Sequence, residues 1–302
     1  MSSFKVDFFV VGAARCGTTS LYNYLSQHPQ IYLPAIKELN YFSNVESKDH
    51  ATYLKPKKDK HYHTKIIKKE EVYKSVFEDA KKKQQKGDIS PSYLWDKETA
   101  KRIYAHNPNA KIIISLRNPV QRAFSHYVMN VSIGHENAQS FADALKKEPE
   151  LIWGGGSLYL QLSAYYEAVK PYFDVFPKEN ICILVFEDWI KNKDKTLTDI
   201  YEFIGVDKEF EVNHTDKHNE KVAYKNLKTL NFLRSNRIKP ILDSFLSEKL
   251  KEKIKTKIFK KEAPDFTIDS QLETKLSASF KDDVAKLEKL TDIPFLKKWG
   301  YK

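Results

Sequence analysis

Cysteine is nearly absent from this chain: only Cys16 and Cys182 occur in 302 residues. Two thiols so far apart in sequence form neither a disulfide framework nor a zinc-ligand spacing. They fit a reducing compartment. Long apolar runs are missing too, and nothing approaches the ~20 apolar residues of a membrane span. The N-terminal apolar stretch lasts about eight residues and runs into Gly, Arg and Thr, so it reads as a buried strand and not as a signal peptide. The expectation from these absences is a cytoplasmic protein without a membrane span. Internal repeats and low-complexity linkers are also lacking, which predicts one domain over 1–302.

What is present suits a folded enzyme-sized domain. Hydrophobic residues make up 41% and there are 17 Tyr and 18 Phe, enough for a sizeable core and against disorder. Lys and Arg outnumber Asp and Glu by 51 − 40 = +11. That surplus favours anionic partners: nucleic acid, a membrane surface, or phosphorylated and sulfated small molecules. Solvated lysine-rich faces account for it equally well.

Apolar patterning predicts an α/β fold: a P-loop-like domain with a central parallel sheet flanked by helices and a helical C-terminal region over 225–302. Phe4–Val11 reads as a buried strand, followed by the loop Gly12–Gly17. Leu21, Tyr22, Leu25 and His28 recur at helical spacing until Pro29. Ile31–Leu33 reads as a short strand. From Lys55 to Lys86 a charge-dense solvated excursion leads into an amphipathic helix around Val72, Val76 and Phe77. GDISPSYLW (87–95) reads as turns, 97–106 as a helix, and KIIISL (111–116) as a strand ending at RNP before another helix. A glycine run at 154–156 is expected to open one long helix reaching Phe173. ICILVFED (181–188) reads as a strand, and the following helix ends at Gly205. Residues 207–224 read as polar loop.

The loop carries the chemistry. GAARCGTT has the glycine spacing G-x-x-x-x-G of a nucleotide phosphate loop. Small residues let backbone N–H groups converge on an anion, and a helix N-terminus adds partial positive charge. Thr18 and Thr19 bring hydroxyl donors. Thr18 occupies the place of the Walker lysine, and no acidic residue for Mg²⁺ ends a second strand, so NTP hydrolysis is disfavoured. The competing readings are a P-loop kinase or NTPase, a non-catalytic anion- or nucleic-acid-binding protein, and a plain strand–helix connector.

With its neighbours, this loop resembles the sulfotransferases that use 3'-phosphoadenosine-5'-phosphosulfate (PAPS). Their loop reads G-x-x-[KR]-x-G-T-[TS]. KELNYF (37–42), GDISPSYL (87–94), LRNPVQRAFSHY (116–127) and FPKENICILVFEDW (176–189) are similar to further blocks of that family, in family order, and the match covers residues 5–206. The style is that of carbohydrate-type and bacterial members. The resemblance implies transfer of a sulfuryl group from PAPS to a hydroxyl or amine of a small-molecule or glycan acceptor. It implies PAP as product, no metal and no nucleic-acid partner.

By residue, the resemblance makes Glu38 the base and Arg15 the cation at the bridging oxygen. Arg15, Cys16, Gly17, Thr18, Thr19 and Ser20 would hold the 5'-phosphate, and Arg117 with Ser125 the 3'-phosphate. Read alone, Glu38 is equally a surface carboxylate, Arg117 a strand-end ion pair, and Arg122 a solvated or structural charge. Arg15 departs from the usual lysine, and Ile89 stands where many members carry a second cation. The segment HNEKVAYKNLK (218–228) lacks the usual glycines. There Lys221, Tyr224 and Lys225 are candidates to close over the cofactor. Tyr41, Tyr93, Trp95, Trp153 and Tyr159 are candidates for an aromatic acceptor pocket, with core packing as the competing role. His135 and His218 read as structural. The position of Cys16 at a helix N-terminus predicts a lowered thiol pKa.

Overall fold

The structure is a computed structural model that describes residues 4–44, 67–132, 136–147, 158–213 and 266–301, and the backbone of 222–224 and 260–262. Its strands are β1 (Phe8–Gly12), β2 (Ile31–Tyr32), β3 (Gln85–Ile89), β4 (Lys111–Leu116), β5 (Ile181–Val185), β6 (Val222–Tyr224) and β7 (Lys260–Glu262). The first five form one sheet in the order β2-β3-β1-β4-β5, and every pairing in it is parallel. β6 and β7 form a separate antiparallel pair.

The helices are α1 (Thr18–Leu25), α2 (Glu70–Ser75), α3 (Ser92–Trp95), α4 (Thr99–His106), α5 (Pro119–Ser132), α6 (Phe141–Lys146), α7 (Tyr166–Val175), α8 (Phe186–Trp189), α9 (Lys193–Ile204), α10 (Ser270–Thr291) and α11 (Phe295–Lys298). Successive strand residues point to opposite faces, and here both faces are covered. Phe9, Val11, Ile112 and Ile114 pack into one core with residues of α4, α5, α7 and α10. Phe8, Val10 and Ile113 pack into another with α1 and α9. A sheet buried on both sides needs continuous apolar strands, which is why β1 and β4 are legible as runs of Phe, Val and Ile.

Four expectations are corrected. GDISPSYLW is not all turn: its first residues complete β3, which pairs directly with β1. β3 reads QKGDI and has no apolar run. Gly87 is needed because a Cβ there would lie 2.2 Å from the Phe8 ring, a close approach that only glycine allows in a strand. The long helix expected to reach Phe173 is broken instead. Gln161–Ser163 is a single 3-10 turn, Ala164 is extended, and α7 starts afresh at Tyr166. The expected loop 207–224 ends in strand β6. The glycine run lies outside the described residues, as does most of 225–265, where a helical region was expected; within it Lys260–Glu262 is strand β7 and not helix.

Other boundaries hold for stated reasons. α5 starts at RNP because Asn118 caps it, its Oδ1 accepting from Val120 N (3.0 Å) and Gln121 N (3.2 Å). Pro119 then occupies the first helical position, where its missing N–H costs nothing. Gly205 ends α9 at φ 83°, the left-handed C-terminal conformation that glycine adopts freely. No helix among the described residues is long and apolar enough to cross a membrane.

Candidate functional site: a phosphate loop and an arginine cluster

β1 lies in the middle of the sheet, with β3 on one side and β4 on the other. The chain leaves β1 toward β2 and later returns past it to β4, so the carboxyl end of β1 is the topological switch point, where open α/β sheets bind ligands. Residues 13–17 connect that end to α1.

Neighbouring elements hold this loop in place. Ala13 N donates to Ser115 O (2.7 Å). Ser115 Oγ donates to Cys16 O (2.7 Å) and accepts from Trp189 Nε1 (3.1 Å). Gly17 has φ 83°, and a Cβ on it would sit 2.2 Å from Trp189 Cζ2. The second glycine therefore serves both the turn and the packing of α8. Thr18 is buried, Ser20 half-buried and Thr19 exposed at the start of α1, where the first backbone N–H groups lack intrahelical acceptors.

Arg15 also sits at positive φ, 70°, and points toward α5. Its Nε and Nη2 each lie 3.3 Å from Ser125 Oγ, and Nη1 lies 3.3 Å from Met129 Sδ. Dense packing around the guanidinium, then Arg117 and Arg122, push its pKa down, although some of the side chain reaches solvent. Arg117 follows β4 and lies 4.9 Å from the centroid of the Phe186 ring, a cation–π geometry. The structure thus brings Arg15 to Ser125, with Arg117 near enough to act on Arg15 electrostatically. None of the three arginines forms a salt bridge among the described residues.

Arg122 is neither solvated nor paired. It is completely buried; its Nε donates to Ser163 Oγ (2.5 Å), Nη2 to Tyr159 O (2.7 Å) and Nη1 to Ala14 O (3.4 Å).

Cys16 corrects the reactivity expectation. Its side chain is buried, 3.9 Å from Tyr165 Oη. Burial pushes the thiol up to about 11, against a smaller opposing pull from Arg122. The helix N-terminus does not win because the sulfur points into the core, so the backbone of Cys16, not its thiol, belongs to the loop.

Glu38 lies at the same edge of the sheet. Its N–H donates to Ile89 O (3.2 Å) at the end of β3, while Ser90 N donates to Val10 O (3.2 Å) on β1. Lys37 Nζ lies 2.5 Å from Glu38 Oε1. Glu38 (φ 64°) and Asn40 (φ 54°) are both left-handed, a conformation that persists only where surroundings impose it. They are imposed here by Ser90 Oγ, which accepts from Asn40 N (3.1 Å) and donates to Asp88 Oδ1 (2.6 Å). Asp88 is buried and also accepts from Tyr93 (2.7 Å) and Tyr73 (3.0 Å). Burial raises its carboxyl to about 6, despite these three hydroxyls. Sequence reasoning missed Asp88 and Ser90 as supports; their signal was the aspartate of GDISP two residues before a serine.

The aromatic candidates divide. Tyr93 and Tyr159 are buried. Their hydroxyls donate to Asp88 and to Glu136 Oε2 (3.1 Å) respectively, so they are core residues and offer an acceptor no surface. Tyr41 is half-buried and stacks on Tyr73 at 4.2 Å. Trp95 borders a narrow apolar crevice with Ala13, Ala14, Leu162 and Tyr165, beside the phosphate loop. Trp153, Lys221 and Lys225 lie outside the described residues. Of Tyr224 the backbone is described, paired with Lys260.

Sheet, loop and helix arrangement define a P-loop-like α/β protein whose loop lacks the Walker lysine. The sequence matches the Sulfotransferase family over residues 7–210, and the chain belongs to that family. A solved sulfotransferase from Alicyclobacillus acidocaldarius superposes with TM-score 0.72 at 28% identity, covering 98% of this chain and 99% of that one. Among curated proteins, human carbohydrate sulfotransferase 15 is 24% identical over 245 residues, 66% of this chain and 43% of that protein. Mouse heparan sulfate glucosamine 3-O-sulfotransferase 3B1 is 23% identical over 215 residues, 68% and 49% respectively. The chain thus spans less than half the length of these curated relatives.

Proposed function

We propose that this chain transfers a sulfuryl group from PAPS to a hydroxyl or amine of an acceptor, with a glycan-type acceptor favoured by the names of its relatives. One observation carries the reading: Arg15 of the phosphate loop meets Ser125 Oγ, 110 residues away in sequence, at 3.3 Å. Two anion-holding segments converge, as a ligand phosphorylated at both 3' and 5' positions demands. The donor set fits such a ligand, since these guanidiniums form no salt bridge among the described residues and unpaired guanidiniums suit phosphate dianions.

When bound, PAPS supplies the sulfuryl group and a phosphate leaving group. Thr18, Thr19 and the N–H groups of the loop hold the 5' end. Arg117 and Ser125 hold the 3'-phosphate, which frees Arg15 from Ser125. Arg15 then neutralises charge developing on the bridging oxygen; being permanently protonated, it stabilises this charge without donating a proton. Glu38 takes the proton of the acceptor hydroxyl. Lys37 holds one carboxylate oxygen, and the left-handed turn keeps the carboxylate at the edge of the sheet.

Thermal shift with PAP and transfer of labelled sulfate from PAPS to a panel of glycan and small alcohol acceptors test this reading. PAP raises the melting temperature of the wild type. Glu38→Gln keeps that rise and loses about 10²–10⁴-fold in transfer rate. Near-full transfer by the variant removes Glu38 as base, and a wild type indifferent to PAP removes PAPS.

A further inference from the structure

Arg122 is the one cation of the cluster with no solvent contact. Burying a guanidinium is costly unless a counter-charge offsets it. Among the described residues the groups that act on it most are Tyr165, Cys16, Arg117 and Tyr159, and His126 Nδ1 stands 3.5 Å from Nη2. None is a carboxylate. Burial pushes the pKa of Tyr165, Cys16 and Tyr159 up, so all three stay neutral near pH 7 and, among the described residues, none balances the charge of Arg122. Arg15 and Arg117 add repulsion. Hydrogen bonds to Ser163 Oγ, Tyr159 O and Ala14 O satisfy the donors without cancelling the charge. A residue needed only to tie α5 to the 159–163 segment would not have to be charged.

We propose that Arg122 is a binding residue at a distance: a buried cation behind the phosphate loop whose counter-ion is the phosphate held in front of it. Ala14 O, on the loop itself, joins the two sides. Among the described residues none of the three guanidiniums is salt-bridged, the neighbouring carboxylate of Glu187 accepting instead from Asn118 N (2.9 Å), and anion binding relieves their mutual repulsion. Because the wall is dry, this attraction is screened less by salt than that of an exposed lysine. The inference rests on the PAPS reading above and concerns how the same site gains affinity.

Charge and tether are separated by three variants, with PAP affinity measured by calorimetry and apo stability by thermal melting. Arg122→Met removes the charge and is expected to weaken PAP about ten- to thirtyfold, the scale of one charge at intermediate distance and dielectric. Arg122→Lys keeps the charge with poorer geometry and stays within about threefold of wild type. Ser163→Asp keeps Arg122 and places a carboxylate against Nε. It gives up the bond that Ser163 Oγ donates to Tyr159 O (3.0 Å), and is expected to weaken PAP about tenfold. Should Arg122→Met fail to fold, the Lys and Ser163→Asp variants decide between them. Equal PAP affinity in wild type and the neutralised variants, or equal losses in Met and Lys, overturns the inference while leaving the PAPS reading intact. A wild type that binds neither PAP nor inorganic sulfate overturns both.

Discussion

Asp88→Asn tests the physics beneath the Glu38 turn. Asp88 is buried beneath that turn, with a carboxyl raised from 3.8 to about 6, burial being the first cause. In the unfolded chain it ionises near its ordinary value. The folded state therefore prefers the neutral acid. That preference contributes fully below pH 3.8 and is lost as pH rises through about 6. Two pKa units correspond to about 3 kcal/mol between those limits. Asparagine is neutral throughout and of the same shape, so the variant escapes this loss. Urea unfolding of both proteins at several pH values from 4 to 7.5 isolates the effect, because every other titration cancels in the difference. The stability of wild type relative to variant is expected to fall by about 2.4 kcal/mol from pH 4 to pH 7, the rest of the difference lying below pH 4, and most of the fall between pH 4 and 6.5. A difference constant with pH would show that the hydroxyls of Ser90, Tyr93 and Tyr73 fully offset burial. A difference growing the other way would show that they exceed it. Either result refutes the reasoning.

Two further perturbations probe the loop. With its thiol at about 11, Cys16 is expected to react with iodoacetamide at pH 8 roughly 100-fold more slowly than a free thiol, as thiolate population sets the rate; an ordinary alkylation rate by mass spectrometry removes the buried-thiol assignment. Gly17→Ala forces a Cβ into Trp189 at a left-handed position, so it is expected to lower stability by about 1–3 kcal/mol and abolish the melting shift with PAP. Wild-type melting and a full PAP response in this variant show that the loop is not built as described.

How much of the fold was legible followed how much of each element's reason lay in its own residues. β1, β4 and β5 are apolar because both sheet faces are covered, and their sequences say so. β3 contributes Gly87 and Asp88 in place of such a run. Its glycine answers to the Phe8 ring and its aspartate to Tyr73, Tyr93 and Ser90, partners distant in sequence in all but two cases. The break at Ala164 is equally non-local: Asp283 on α10 accepts from Tyr165 N (2.8 Å) and Tyr166 N (3.2 Å), capping α7 from more than a hundred residues away. Periodicity within a window cannot register a cap of that kind.

The site divides along the same line. The loop glycines, threonines and Arg15 stood out by their spacing, and Arg117 and Ser125 by their resemblance to a family block; the structure brings Arg15 within 3.3 Å of Ser125 Oγ. Whether a charge is balanced is a property of the assembled neighbourhood. In sequence, Arg122 is one of 51 basic residues in a chain with a surplus of eleven, and although it lies in the block 116–127, nothing there tells a solvated charge from a buried one. Packed under the 159–163 segment, it becomes a cation held by neutral acceptors beside two others. The net surplus therefore says less about the ligand than the location of this small part of it. On the reading proposed above, a few cations clustered behind one loop favour a compact polyanion, whereas the same number spread over a surface would favour none.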